Sequence, residues 1–174
     1  MSQLDKFERW QKNLQRVRLP HWRQLPKMDL YIDQVATLVN ESLTALGMEP
    51  LTKSMINNYV KKRVIVAPVK KKYATNQVAD LMVIGLCKGC FSLPEIKQGI
   101  AQVTINAYPQ RVYDRFVDVF NAQLAGKDVT ADPELPTATD RLLSLTCATL
   151  VNRLTAAKLM SLMREETKPQ SVDD

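Results

Sequence analysis

Seven cations and no carboxylate lie between Leu51 and Tyr73. The whole chain has a formal net charge of +6, so the other residues together sum to −1 (+6 − 7). Lys and Arg neutralise phosphates and release counterions from a polyanion, which gives affinity without sequence information. The positive charge is therefore local. A run of this kind is usually a solvated face, and it is also typical of a surface for an anionic partner; the resemblance described below favours the second interpretation. We expect six of these cations to contact phosphates: Lys53, Lys62, Arg63, Lys70, Lys71 and Lys72.

A largely uncharged polar face lies within the same stretch. The side chains at positions i, i+3, i+4 and i+7 of a predicted helix share it: Ser54, Asn57, Asn58 and Lys61. Asn can pair bidentately with adenine N6 and N7, and a helix in the major groove of duplex DNA presents such a face. We expect these four residues to contact base edges, although either asparagine is equally compatible with an ordinary surface position.

The sequence Cys87-Lys88-Gly89-Cys90 is a Cys-x-x-Cys motif, which raises the question of a metal or redox site. Zinc and iron–sulfur sites use about four ligands. The other candidates are Cys147 and His21, unless a dimer combines two copies. A thioredoxin-like site needs a preceding strand, whereas a helix is predicted here. We expect packed cysteines, no bound metal and no cofactor, and a structural or exposed role for His21.

The remaining composition bounds the class of protein. A single histidine, no Gly-rich phosphate loop and no nucleophile motif argue against an enzyme. The longest apolar run is far shorter than the roughly 20 residues of a membrane span. Three unevenly spaced cysteines and a polar N-terminus without a secretory signal predict a cytoplasmic protein.

The elements that carry these residues are predicted to be mainly helical, because the chain has five glycines and long apolar patterns of helical period. A first helix should end before Pro20. The later predicted elements, in chain order, are a helix over 30–46 ended by Gly47, a helix over 52–62 capped by Thr52, a strand over 64–66, a helix over 76–88 capped by Thr75, a Ser92–Glu95 capping box with a helix after it, a helix over 109–125, a last helix over 139–166, and a frayed tail after Thr167.

Three segments resemble the DNA-binding domain of the MerR family of transcriptional regulators: MINNYVKKRVI, PVKKKYAT and LMVIGLCKGCFSLPEI. Residues 25–100 look closer still to a family of uncharacterised bacterial proteins with a domain of unknown function. Those proteins are themselves only predicted to be MerR-like DNA binders. The resemblance implies a winged helix-turn-helix in which residues 52–62 are the recognition helix and residues 64–73 are a basic wing.

The chain departs from the MerR pattern at several positions. Asn57 and Asn58 replace an Arg-Tyr pair, and Arg63 stands where the family has a glycine. The wing is shorter than in the family, with Lys71 near the position of the family's wing arginine. Two helices separated by a Pro-containing linker replace the long coiled-coil helix.

The sequence therefore predicts a mainly α fold: a MerR-like winged helix-turn-helix with a short β wing, an N-terminal helix and a C-terminal helical extension. The predicted divisions are residues 1–28, residues 29–107 for DNA binding, and residues 108–174 for dimerisation or sensing. The first functional hypothesis is a homodimeric transcriptional regulator that binds double-stranded DNA. A second is a winged-helix interaction module for an acidic protein. A third is a regulator that responds to a ligand or to redox state through the C-terminal helices or Cys87 and Cys90.

Overall fold

The computed structural model describes residues 1–167, and this part of the chain is mainly helical, as predicted. The predicted tail after Thr167 lies outside the described residues. The elements are α1 (Gln3–Leu14), a 3-10 turn (Trp22–Gln24), β1 (Leu30–Tyr31), α2 (Ile32–Ala45), α3 (Lys53–Lys61), β2 (Lys72–Tyr73), α4 (Thr75–Cys87), α5 (Leu93–Thr104), α6 (Pro109–Leu124) and α7 (Thr137–Thr167).

Helix α4 lies at the centre of the fold and is buried on most of its surface. It packs against α2, α5 and α6, while α1 and α6 pack against α7. A Cβ atom added at Gly85 would come within 3.0 Å of Leu43 Cδ1, so α2 and α4 approach each other closely at this glycine. Val35, Val39 and Leu43 present the buried face of α2. Each such side chain stabilises the fold by about 1.5–3 kcal/mol through burial.

A buried ion pair joins α6 to the start of α7. Arg115 Nε donates to Asp140 Oδ1 at 2.7 Å, and the second guanidinium arm donates to the carbonyl of Thr130 at 2.7 Å. Burial opposes ionisation of Asp140. The hydrogen bonds from Arg115 and from the N–H of Asp132 outweigh that effect, and the pKa of Asp140 lies below its usual value. The pair therefore holds α6, the connecting segment and α7 in one arrangement.

Two of the three predicted N-terminal caps are confirmed. The hydroxyl of Thr52 accepts from the N–H of Met55 at 3.1 Å, and Ser92 and Glu95 form the reciprocal capping box. The predicted cap at Thr75 is wrong. Thr75 is the first residue of α4, and its hydroxyl donates to the carbonyl of Pro26 at 2.8 Å.

The strand predicted over residues 64–66 is also wrong, because the backbone groups of this segment have other partners. The N–H of Val64 donates to the carbonyl of Tyr59 at 2.9 Å, which closes the end of α3. The two-stranded sheet instead pairs β1 with β2 in antiparallel register, Leu30 opposite Tyr73. Residues 62–73, the basic segment, therefore follow α3 as irregular chain, and only the last two of them form a strand, β2.

Gln77 forms side-chain hydrogen bonds with backbone groups of this irregular segment, which has no strand beside it. Its side chain is only 4% exposed. Its Oε1 accepts from the N–H of Ala74 at 2.7 Å and so caps α4. Its Nε2 donates to the carbonyls of Val66 and Ala67 at 2.9 and 3.0 Å. One buried amide thus connects the first turn of α4 to the backbone that precedes β2.

Within residues 1–167, none of the helices combines the length and the apolar character that a crossing of the bilayer requires.

The Gln77 amide provides a test of how the basic segment is held. In Gln77→Leu, the half-buried N–H of Ala74 and the carbonyls of Val66 and Ala67 lose this partner. Because Val66 and Ala67 are exposed, water can replace the amide at their carbonyls, and we expect a loss of about 1–3 kcal/mol in the free energy of unfolding. Urea denaturation measures the loss, and hydrogen exchange of the Ala74 amide should become faster. Gln98→Leu makes the same change at an exposed position of α5 and should have little effect. Equal stability of the two variants would contradict the assigned role of Gln77.

Candidate nucleic-acid interface

Helix α3 is held by one buried face, so that its other face is open. Ile56 and Tyr59 are buried in the core, and the Thr52 cap fixes where the helix begins. With about 3.6 residues per turn, Ser54, Asn57 and Lys61 lie on the side away from these anchors. All three are exposed. The structure therefore brings together three of the four residues predicted to contact bases.

Asn58 is set apart from these three residues. It is only partly exposed, and it borders a groove between α3 and α7 with Met55, Tyr59 and Arg153. The shared face that the spacing predicts for Asn57 and Asn58 is therefore divided, with Asn57 on the open side and Asn58 at its edge.

The six residues predicted to contact phosphates have different surroundings. Lys62 is exposed. Lys53 is also exposed, and its Nζ forms an ion pair with Asp33 Oδ1 at 2.5 Å. Both side chains of this pair are accessible to solvent, so the pair contributes roughly 0–1 kcal/mol to stability. Another anion can therefore readily replace the Asp33 carboxylate at Lys53. Lys72 is half-buried, and its Nζ lies 5.2 Å from the centroid of the Tyr31 ring in a cation–π contact.

Lys70 and Lys71 form the tip of a tight hairpin. Val69 and Lys72 exchange backbone hydrogen bonds of 3.0 and 2.9 Å, which leaves a two-residue loop. The φ angles of Lys70 and Lys71 are 50° and 64°. Positive φ at both loop residues is the pattern of a type I′ turn, whose favoured residues are Asn-Gly. Both lysines are exposed at this tip.

Arg63 occupies another position that usually holds glycine. It has a φ of 55° immediately after α3. The N–H of Arg63 donates to the carbonyl of Val60 at 3.0 Å, and the N–H of Val64 donates to the carbonyl of Tyr59. These two bonds form a Schellman motif, in which the left-handed residue is commonly glycine. The same bonds end α2 and α6, where the left-handed residues are Gly47 and Gly126.

A common feature emerges from these angles. In the part of the chain that the structure describes, the non-glycine residues with positive φ are Arg63, Lys70 and Lys71. All three are cations of the same basic segment. A left-handed conformation costs a residue with a Cβ atom about 1–2 kcal/mol. The segment therefore keeps charge at positions where glycine would be more stable.

Sequence reasoning missed several residues of this surface. Gln77, which holds the basic segment, and Tyr31, which contacts Lys72, are not among the predicted site residues. Their partners are distant in the chain or are positioned by a turn whose type the sequence does not predict. The replacement of glycine by Arg63 was visible in the sequence. The sequence predicts a turn at residues 70–72 within the basic wing, but it carries no signal for the type I′ geometry at Lys70 and Lys71, because Lys-Lys is not a dipeptide typical of that turn.

The candidates for a metal or redox site are the cysteines and His21. Burial, with a smaller effect of Cys90, raises the pKa of Cys87 to about 12, and burial also raises the pKa of Cys147. Both thiols are thus protonated and unreactive near neutral pH. His21 Nε2 lies 2.6 Å from Asp118 Oδ1. Among residues 1–167, no three His, Cys, Asp or Glu side chains are grouped so as to hold a metal ion.

One family profile matches the chain, and it bears the description "Domain of unknown function (DUF1836)". The match covers residues 20–116, which is more than half of the 174 residues. This range runs from the loop after α1 to the middle of α6 and includes every residue predicted to contact DNA. No curated protein and no solved structure matches the chain. The chain therefore belongs to the DUF1836 family.

Proposed function

We propose that this protein is a DNA-binding transcriptional regulator in which α2, α3 and the hairpin form a MerR-like winged helix-turn-helix. The observation that carries the proposal is the left-handed conformation of Arg63, Lys70 and Lys71. Strain that a simple substitution would relieve points to a function for the side chain that maintains it. For these three residues, the property that glycine lacks is positive charge.

The arrangement suits a duplex in two ways. Ser54, Asn57 and Lys61 reach base edges when α3 lies in the major groove. The hairpin tip with Lys70 and Lys71 contacts a flanking phosphate backbone, and the cations at the end of α3 add further phosphate contacts. The fold elements that support a winged helix are the pair α2 and α3, followed by a hairpin whose strand β2 pairs with β1.

A symmetric dimer would allow two copies of α3 to bind two half-sites. The surface that supports it is on α7, a helix of 31 residues. Leu142, Leu145 and Met160 are exposed on this helix, and Leu145 is 59% exposed. Burial of these side chains against a second copy would remove them from water. The proposal therefore includes a homodimer formed through α7.

The strained cations yield a prediction in which stability and affinity change in opposite directions. The double variant Lys70→Asn with Lys71→Gly provides the favoured type I′ residues, and we expect it to gain about 1–2 kcal/mol of unfolding free energy in urea. Fluorescence anisotropy with random duplexes should show weaker binding, because two phosphate contacts are lost. The slope of log K against log salt should become shallower by about 2. Arg63→Gly should act similarly, with a slope change of about 1.

A control separates this effect from net charge. Lys12→Gln with Lys97→Gln also removes two exposed cations, but these lie on α1 and α5. The control should bind DNA with nearly the wild-type salt slope, which corresponds to a fall of roughly 10³-fold between 50 and 200 mM salt if about six phosphates are contacted. Equal losses in the control and in the hairpin variant would contradict the proposed interface.

If even the wild type fails to retain DNA at 50 mM salt, the regulator proposal is wrong, and an acidic protein surface becomes the partner that fits these cations.

Sequence preference should depend on Asn57. Asn57→Ala carries no charge change, so the salt slope should stay constant. The difference in binding free energy between a selected duplex and random DNA should fall by about 1–3 kcal/mol, the value of a bidentate base contact. Selection from a random DNA pool supplies the specific duplex. Asn58→Ala is the matched comparison and should have a smaller effect, because Asn58 borders the protein groove between α3 and α7 instead of lying on the open face of α3. An unchanged preference in Asn57→Ala would remove the proposed base contact.

The dimer is tested by a charge on the α7 surface. Leu145→Glu should give a monomer in sedimentation velocity at concentrations where the wild type is a dimer, because a carboxylate would be buried at the contact. Met28→Glu introduces the same charge at a residue that is 73% exposed outside α7, and it should leave the dimer intact. A wild type that sediments as a monomer at every concentration would exclude the dimer.

A further inference from the structure

A groove of about 860 Å³ lies between α3 and α7. This volume is within the range of about 300–1,000 Å³ that is usual for sites of small molecules. One wall is formed by the face of α3 that carries Met55, Asn58 and Tyr59. The opposite wall is formed by Leu150, Leu154 and Ala157 of α7, and the start of α5 closes one side.

Most of the groove is lined by apolar or aromatic side chains that are buried or half-buried. Tyr59 and Leu150 belong to the buried core, and Met55, Phe91 and Leu93 pack against it. A small ligand with an apolar body would remove these apolar groups from water, which is favourable. The lining therefore favours a ligand that is apolar over most of its length.

Two cations border the same groove. Lys88 Nζ donates to the backbone carbonyl of Glu49 at 2.5 Å, which leaves two of its donors for another acceptor. Arg153 is exposed on α7, and no side chain or backbone group within residues 1–167 forms a hydrogen bond or ion pair with its guanidinium. Glu49 is the one carboxylate of the lining. The groove thus has an excess of positive charge beside its apolar surface.

Burial lowers the pKa of Lys88, and the nearby Glu49 acts in the opposite direction. An anion in the groove would also favour the charged form of this lysine. The guanidinium of Arg153 matches the geometry of a carboxylate, to which it can donate two parallel hydrogen bonds. Lys88 and Arg153 therefore both favour a ligand with a negative charge.

We propose that the groove between α3 and α7 binds a small amphipathic organic anion, with its carboxylate at Arg153 and its apolar body between the two helices. Binding does not depend on the proposed function, since the groove lies on the other side of Asn58 from Ser54, Asn57 and Lys61. The experiment below contains no DNA, so its result is separate from that of the DNA-binding tests.

The probe is decanoate, measured by isothermal titration calorimetry below its critical micelle concentration. Decanol has a chain of the same length without charge, and decyltrimethylammonium carries the opposite charge. We expect saturable binding of decanoate with one site per chain, weaker binding of decanol, and the weakest binding of the cation. Equal affinity for decanoate and decanol would overturn the assignment of an anion, and the absence of saturable binding would overturn the site.

Two pairs of variants locate the ligand. Arg153→Gln should weaken decanoate binding about 10-fold and leave decanol unchanged, because one charge-assisted contact is lost. Arg141→Gln makes the same change at another exposed arginine of α7 and should have no effect. Gly89→Phe should block the groove, since a Cβ at Gly89 meets no atom within 4 Å and the phenyl ring extends from the lining. Gly99→Phe is equally unhindered but lies outside the groove, and it should bind normally.

Cys90 provides an independent readout, because it lines the groove and is the one cysteine that is not fully buried. Its reaction with Ellman's reagent should slow when decanoate is bound, in the wild type but not in Gly89→Phe. If a second copy of the chain fills the groove instead, decanoate affinity should fall as protein concentration rises, and Gly89→Phe should change the sedimentation coefficient. That outcome would overturn the proposal, as would equal loss of binding in Arg153→Gln and Arg141→Gln.

Discussion

The side-chain amide of Gln77 holds the basic segment against the centre of the molecule. Three backbone groups depend on it: the N–H that begins α4 and two carbonyls of the irregular chain before the hairpin. Backbone groups need hydrogen-bond partners, and in this segment, which has no sheet pairing before the hairpin, the Gln77 side chain supplies three of them. Because α4 is the most buried helix, an attachment to its first turn transfers the rigidity of the core to a surface loop. The position of Lys70 and Lys71 follows from this attachment.

The same segment shows how charge and conformation compete. The chain ends α2 and α6 with glycine in the left-handed position, but it ends α3 with Arg63 in the same hydrogen-bonded motif. The hairpin tip repeats the pattern with two lysines. Each of these residues lowers stability by about 1 kcal/mol or more relative to glycine. A marginally stable fold tolerates such losses where the side chain has a function.

Helix α3 separates two kinds of surface within nine residues. Ile56 and Tyr59 fix its rotation about its own axis, and this rotation exposes Ser54, Asn57 and Lys61 on one side. Asn58, a single residue further on, borders the groove that α7 closes. A ligand in that groove and a duplex on the open face would contact the same short helix. The two proposals are thus connected by geometry, although each rests on its own residues.

Local sequence is sufficient to predict the helices of this protein, two of their N-terminal caps and the glycine that ends α2, because apolar periodicity and capping depend on residues a few positions apart. Thr52, Ser92 with Glu95, and Gly47 all act within one turn of their own positions. It also predicts the concentration of charge between residues 51 and 73. The pairing of β1 with β2 joins residues some forty positions apart, and the burial of Gln77 depends on the packing of α4. Neither follows from local pattern. The division between Asn57 and Asn58 requires the position of α7, nearly a hundred residues later in the chain, because a side chain's exposure depends on what packs beside it.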